Sequence, residues 1–184
     1  MDFTGKVKQA ALAAIINQGL AYLEKDPEAN LPRLMALVDR VVPENWYASQ
    51  RAGVRSAIAE KGNWYQLMLK LYALDPGVRK AFFRNFVLNA SLFGSATQDE
   101  TAAREGCNIP WAILLDPTSA CNLHCTGCWA AEYGNKLNLT FEELDSIITQ
   151  GKALGTYMYI FTGGEPLVRK KDVIALCEKH SDCE

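Results

Sequence analysis

No apolar run in this 184-residue chain approaches the roughly 20 residues that a membrane-spanning helix needs, so no bilayer span is expected. There is no polybasic footprint either: with 19 Lys and Arg against 21 Asp and Glu, the formal net charge is −2, which argues against a nucleic-acid-binding surface. An export signal is also missing. Ala10 to Ile16 is apolar, but Asp2 precedes it, Asn17 and Gln18 interrupt it, and no small-residue cleavage site follows. No internal repeat and no low-complexity tract is found. Without a signal peptide the six cysteines read as thiols in a reducing compartment, not as three disulfides, and the expected location is the cytoplasm. A hydrophobic content of 49% against 22% charged residues is that of a globular chain.

Residues 1–94 read as helical throughout. Leu12, Ile16, Leu20 and Leu23 recur at helical spacing, and Asp26-Pro27 closes that segment. Asn30 is the expected N-cap of a second helix bearing Leu31, Leu34, Met35, Val38, Val41 and Val42. A third helix is expected over residues 44–61. A fourth carries Trp64, Leu67, Met68, Leu71 and Tyr72, and the fifth opens at Asp75-Pro76, bears Val78, Phe82, Phe83, Phe86 and Val87, and stops at Gly94. These stripes are those of a packed helical core. The polar stretch 95–108 is the expected linker to a second region, 109–184.

That region changes period. Trp111 to Leu115 and Tyr157 to Phe161 are short apolar runs, as expected of strands buried on both faces of a parallel sheet. Between them Thr140-Phe141-Glu142-Glu143 forms a capping box before a helix, and residues 170–180 suit another. The order strand, helix, strand, helix opens a parallel α/β fold, whose sites lie at the carboxyl ends of the strands.

Two motifs sit at those ends. Cys121, Cys125 and Cys128, spaced C-x3-C-x2-C, place three sulfurs within eight residues on a loop made pliable by Gly127. Iron–sulfur clusters are held by such thiolates, and three cysteines leave one iron of a four-iron cluster without a protein ligand. The alternative is zinc, with His124 as a fourth donor. Four ligands in eight consecutive residues strain a tetrahedron, and zinc leaves the second motif, Gly163-Gly164-Glu165-Pro166, unexplained. By itself that second motif reads as a turn. After an apolar strand its glycines allow close backbone approach to a ligand, and Glu165 is a charge-assisted acceptor.

Over roughly residues 109–180 the sequence resembles the radical S-adenosylmethionine (radical SAM) enzymes, on the strength of these two motifs in this order. The resemblance implies that Cys121, Cys125 and Cys128 hold a 4Fe–4S cluster whose fourth iron binds S-adenosylmethionine. It implies that Gly163, Gly164, Glu165 and Pro166 bind the amino end of that cofactor. Reductive cleavage would then give a 5′-deoxyadenosyl radical that takes hydrogen from a small-molecule or peptide substrate, with a flavodoxin or ferredoxin as electron donor. The family often has an aromatic residue before the third cysteine, where this chain has Gly127; Trp129 either takes that place or packs on the loop. The family's core is a six-stranded partial barrel, of which only two strand–helix units are visible. The expected architecture is therefore an all-helical domain followed by the start of a partial (β/α) barrel, in a fragment of a longer enzyme. The readings from other classes are a zinc-binding interaction module and a remnant that binds a cluster without S-adenosylmethionine. Cys107, Cys177 and Cys183 are scattered, and Cys177 is expected to be a small buried hydrophobe.

Overall fold

The computed structural model describes residues 3–128 and 133–184. Its residues fall into two compact units, 1–81 and 82–184.

The first unit contains α1 (Phe3–Lys25), α2 (Pro27–Val41), α3 (Ala48–Glu60), α4 (Asn63–Leu71) and most of α5 (Pro76–Phe82). Neighbours in sequence pack on one another, α1 on α2, α2 on α3 and α3 on α4. The cap of α2 is Asp26, whose carboxylate accepts the Ala29 N–H at 3.0 Å, with Pro27 at the first helical position. Asn30, expected to cap this helix, instead lies buried within it and donates to the Tyr22 carbonyl at 2.9 Å. Proline has no N–H to satisfy, so Asp-Pro both ends α1 and starts α2. In α4 the expected Met68, Leu71 and Tyr72 are half-buried and Trp64 and Leu67 are exposed, while the buried residue is Tyr65 and Leu69 is half-buried as well. Asp75 caps α5 as expected, accepting from Gly77 and Val78.

In the second unit the chain continues as a π-helix, Phe83–Gly94, and then as α6 (Ser95–Glu105). Gly94 is not a stop, for its backbone is helical. Its lack of a side chain answers a packing demand, since a Cβ there would lie 2.5 Å from the Gly155 carbonyl oxygen. The wider winding also changes which residues face inward: Asn85, Leu88, Ala90 and Gly94 are buried, not a 3.6-residue stripe. Residues 95–105 are thus helical, and buried Gln98 donates to the Gly155 carbonyl at 2.8 Å. The same helical stretch holds the segment after residue 180. Asn85 donates to the Cys183 carbonyl at 2.7 Å, Asn89 to Asp182 at 2.8 Å and Arg84 to Ser181 at 2.9 Å.

The sheet pairs β1 (Ala112–Leu115) in parallel with β2 (Met158–Phe161), Ile113 opposite Tyr159 and Leu115 opposite Phe161. Between them α7 (Phe141–Ala153) begins at the expected capping box, in which Thr140 Oγ1 accepts from Glu143 N–H and the Glu143 carboxylate from Thr140 N–H. After β2 come a 3-10 turn (Pro166–Arg169) and α8 (Lys170–Lys179). Leu115 and Tyr159 on one sheet face meet Leu144 and Ile148 of α7 and Leu176 of α8, making the core. Gly151 of α7 leaves room for the Tyr159 hydroxyl, which a Cβ would approach to 2.2 Å.

Burial on both faces is not realised. Leu114 and Ile160, paired on the opposite face, are 65% and 41% exposed, because helices cover only one side of the strands. The outer edge of β2 pairs with Glu184: its N–H donates to the Tyr157 carbonyl and its carbonyl accepts from Tyr159 N–H, each at 2.8 Å. This is the hydrogen-bond pattern of a parallel pair. Among the described residues no helix is long and apolar enough to cross a membrane.

Two glycine substitutions test how the helices are packed. Gly53→Ala, in α3 with nothing within 4 Å, is expected to stabilise by about 0.5–1 kcal/mol. Gly94→Ala would have the same helical preference, yet overpacking against Gly155 should make it destabilising by about 1–3 kcal/mol. Urea denaturation of both variants checks the pair; equal effects would contradict the close approach.

Candidate functional site

The site is built where the carboxyl ends of β1 and β2 meet, and backbone hydrogen bonds fasten it. After β2, Gly164 N–H donates to the Thr118 carbonyl at 3.0 Å and Glu165 N–H to the Ala120 carbonyl at 2.9 Å. Ala120 immediately precedes Cys121, so the Gly-Gly-Glu turn is bonded to the root of the cysteine loop. Glycine is required for this. Gly163 has a φ of +103°, in the left-handed region, and a Cβ on Gly164 would sit 2.2 Å from the Ala120 carbonyl oxygen. The sequence reading gave these glycines to a ligand; the structure gives them a demand from the chain itself.

The loop's two roots are also tied to each other. Thr118 and Asn138 form an antiparallel bridge, flanked by Ser119 N–H to the Leu137 carbonyl at 2.8 Å and Leu139 N–H to the Pro117 carbonyl at 3.2 Å. Buried Thr118 donates its hydroxyl to Asn138 Oδ1 at 2.6 Å and accepts from Ala120 N–H at 3.0 Å. Ser119 Oγ accepts from Leu137 N–H at 3.1 Å. The cysteine loop therefore leaves and returns through a fixed neck.

Beyond that neck the cysteines are accessible: Cys121 and Cys125 are exposed and Cys128 half-buried. A turn closes from Cys128 N–H to the Cys125 carbonyl at 3.2 Å, with Gly127 at a φ of +72°. That left-handed position accounts for glycine where the family often has an aromatic residue. Trp129 lies outside the described residues. Cys121, Cys125, Cys128 and His124 line one cavity of about 360 Å3, whose wall includes Gly164. Among the described residues, no three Cys, His, Asp or Glu side chains converge to metal-ligand distance, so the loop must draw in to bind a metal. The donor set itself suits an iron–sulfur cluster: three accessible thiols on an irregular loop facing one cavity, beside a backbone that no side chain obstructs. Glu165 Oε1 accepts from Leu167 N–H at 2.9 Å and caps the 3-10 turn. A carboxylate has a second oxygen, so capping does not exhaust it as an acceptor.

A larger cavity of about 730 Å3 opens alongside, sharing Ser119 and Gly164 with the first and lined by Leu114, Asp116 and Tyr133. Sequence reasoning missed the residues of the neck. Thr118, Ser119, Asn138 and Arg169 are ordinary types at scattered positions, and only the fold brings them together. Cys177 is exposed, contrary to expectation, because it lies on the outer side of α8. Cys183 is the cysteine that packs against the core.

Comparison with known proteins agrees with this geometry. Residues 115–182 match the Radical SAM superfamily, a range that holds all three loop cysteines and the Gly-Gly-Glu-Pro turn. The GTP 3′,8-cyclase of Geobacter sulfurreducens is 43% identical over 62 residues, covering 32% of this chain and 19% of the cyclase. That of Alkaliphilus oremlandii is 45% identical over 61 residues, covering 31% and 19%. The enzyme of the same name from Pseudomonas savastanoi pv. phaseolicola is 37% identical over 70 residues, covering 36% and 21%. No solved structure matches the chain. The matched region spans about a fifth of the length of these curated relatives.

Thiol chemistry reports on the loop directly. Burial, with the Asp182 charge adding to it, pushes the Cys183 thiol up to about 12. The thiolate is the reactive form, so Cys183 should resist iodoacetamide at about pH 8 and gain reactivity only as pH rises toward that value. Cys107, Cys121, Cys125 and Cys177, all exposed, should be alkylated before it in the metal-free chain. Mass spectrometry of the time course checks the order, and early labelling of Cys183 would contradict its packing.

Proposed function

We propose that this chain carries the cofactor-binding part of a radical SAM enzyme. Cys121, Cys125 and Cys128 would hold three irons of a 4Fe–4S cluster, and Gly163, Gly164, Glu165 and Pro166 would receive the amino end of S-adenosylmethionine. The observation that carries this reading is the bonding of the Gly-Gly-Glu turn to the carbonyls of Thr118 and Ala120, which sets the second motif beside the first thiol. Bound together, cluster and cofactor supply reductive cleavage of the sulfonium to a 5′-deoxyadenosyl radical, able to take a hydrogen atom from a substrate.

The chain's own residues have plainer tasks. The thiols, deprotonated on binding, supply ligand charge, and the accessible loop lets them gather around a cluster. Gly164 keeps the wall of the thiol cavity free of side chain, and Glu165 offers a carboxylate oxygen to an ammonium group. Thr118, Ser119 and Asn138 hold the neck so that loop and turn keep a common frame. An electron carrier of the flavodoxin or ferredoxin class would supply the reductant, and the cytoplasm, where thiols stay reduced, is the compartment this reading calls for. Residues 1–81 and 82–105 lie outside the match, and the substrate, a small molecule or a peptide, is not fixed by a segment that handles the cofactor. Likeness over a fifth of the cyclases' length does not extend their nucleotide to this chain.

After anaerobic reconstitution, Cys121→Ala, Cys125→Ala and Cys128→Ala should each lose the brown chromophore and most of the iron and acid-labile sulfide. Retained colour in any of them would remove that residue from the ligand set, and stoichiometric zinc in the parent chain would favour the interaction module. Glu165→Gln should keep the iron while weakening S-adenosylmethionine binding by about tenfold, the scale of one charge-assisted hydrogen bond. Loss of iron in that variant would mean that Glu165 serves the fold alone.

A further inference from the structure

We propose that Arg169 is a positioning residue that clamps the neck of the cysteine loop to the cofactor-binding turn. Its side chain is only 18% exposed, at the end of the 3-10 turn that follows Glu165. Nη1 donates to the Pro117 carbonyl at 2.8 Å and also to the Leu139 carbonyl. These two carbonyls belong to the outgoing and returning roots of the cysteine loop, already paired by the Leu139 N–H bond to Pro117. Nε and Nη2 both donate to Asp172 Oδ2, at 2.9 and 2.6 Å, which orients the guanidinium and balances its charge.

One side chain thus joins three segments that lie far apart in sequence: the end of β1, the approach to α7 and the start of α8. The planar guanidinium can serve two carbonyls on one edge and a carboxylate on the other, a geometry that a lysine ammonium lacks. A half-buried cation is best tolerated with such partners, and these are strongly directional. The consequence reaches both motifs. Pro117 lies four residues before Cys121, and Glu165 lies four before Arg169. Releasing the guanidinium frees the neck to open and the Gly-Gly-Glu turn to drift from Thr118 and Ala120. The thiols are local to one loop and can still gather a cluster, whereas cofactor binding needs loop and turn in register. The functional half of this proposal rests on the radical SAM reading; the clamp itself does not.

The test uses Arg169→Met and Arg169→Lys in the full chain. First, hydrogen exchange of the metal-free proteins is read at the amides of Ser119, Leu139, Gly164 and Glu165. Arg169→Met should speed exchange there by about tenfold or more, with α7 core amides changed less than about twofold, and Arg169→Lys should fall between. Second, equilibrium dialysis of S-adenosylmethionine against reconstituted protein should show about tenfold weaker binding in Arg169→Met at unchanged iron content, partly recovered in Arg169→Lys. Unchanged exchange at the four amides overturns the clamp; if Arg169→Met fails to fold, Arg169→Lys decides by the same criterion. Faster exchange with undiminished cofactor affinity overturns its role in positioning. A parent chain that binds neither iron nor cofactor sinks the radical SAM reading, and the exchange data still decide the clamp.

Discussion

Two backbone hydrogen bonds, from Gly164 to Thr118 and from Glu165 to Ala120, are the constraint on which the site depends. They leave no room for a Cβ at position 164 and hold Gly163 in a left-handed conformation, so the identity of both residues follows from the junction. Everything chemical hangs from it. The cysteine loop starts one residue beyond Ala120, and the 3-10 turn starts one residue beyond Glu165. Net gains of about 1 kcal/mol per hydrogen bond are modest. What the junction provides is geometry: an exposed loop of thiols and a capped turn share one edge.

The second unit supports that edge from the other end of the strands. Asn85, Asn89, Arg84 and Gln98 all donate side-chain N–H groups to backbone carbonyls in the turns near residues 155 and 181–183. Thr156 Oγ1 donates to the Pro110 carbonyl at 2.6 Å, and the Tyr159 hydroxyl sits 2.9 Å from the Thr156 carbonyl. Turn carbonyls that the sheet leaves unpaired are thereby satisfied within the protein. The helical stretch 83–105 is a working part of the unit that carries the site, which the polar composition of residues 95–105 does not suggest.

Much of the local architecture is legible in the residues. The capping box at Thr140, the cap at Asp75 and the two apolar strands are short-range signals, and each appears where its pattern places it. Where expectation and structure part, a longer-range force has acted. Asn30 has the right chemistry for a cap, but Asp26 with Pro27 behind it satisfies the helix end first. Gly94 reads as a stop, yet its glycine serves contact with Gly155 across 61 positions of sequence. Leu114 and Ile160 are as apolar as their neighbours, but burial requires a layer on their side of the sheet. The three cysteines and the Gly-Gly-Glu-Pro turn could be picked out because their types and spacings are unusual. Arg169, Thr118 and Asn138 could not, because only the fold unites them.

The central claim is that the three thiols leave one iron open and that the neighbouring turn delivers S-adenosylmethionine to it. Electron paramagnetic resonance of the anaerobically reconstituted, dithionite-reduced chain, recorded with and without S-adenosylmethionine, addresses both halves at once. The account predicts a reduced 4Fe–4S signal that shifts when the cofactor is added. A cluster signal indifferent to the cofactor, or zinc in place of iron, would contradict it.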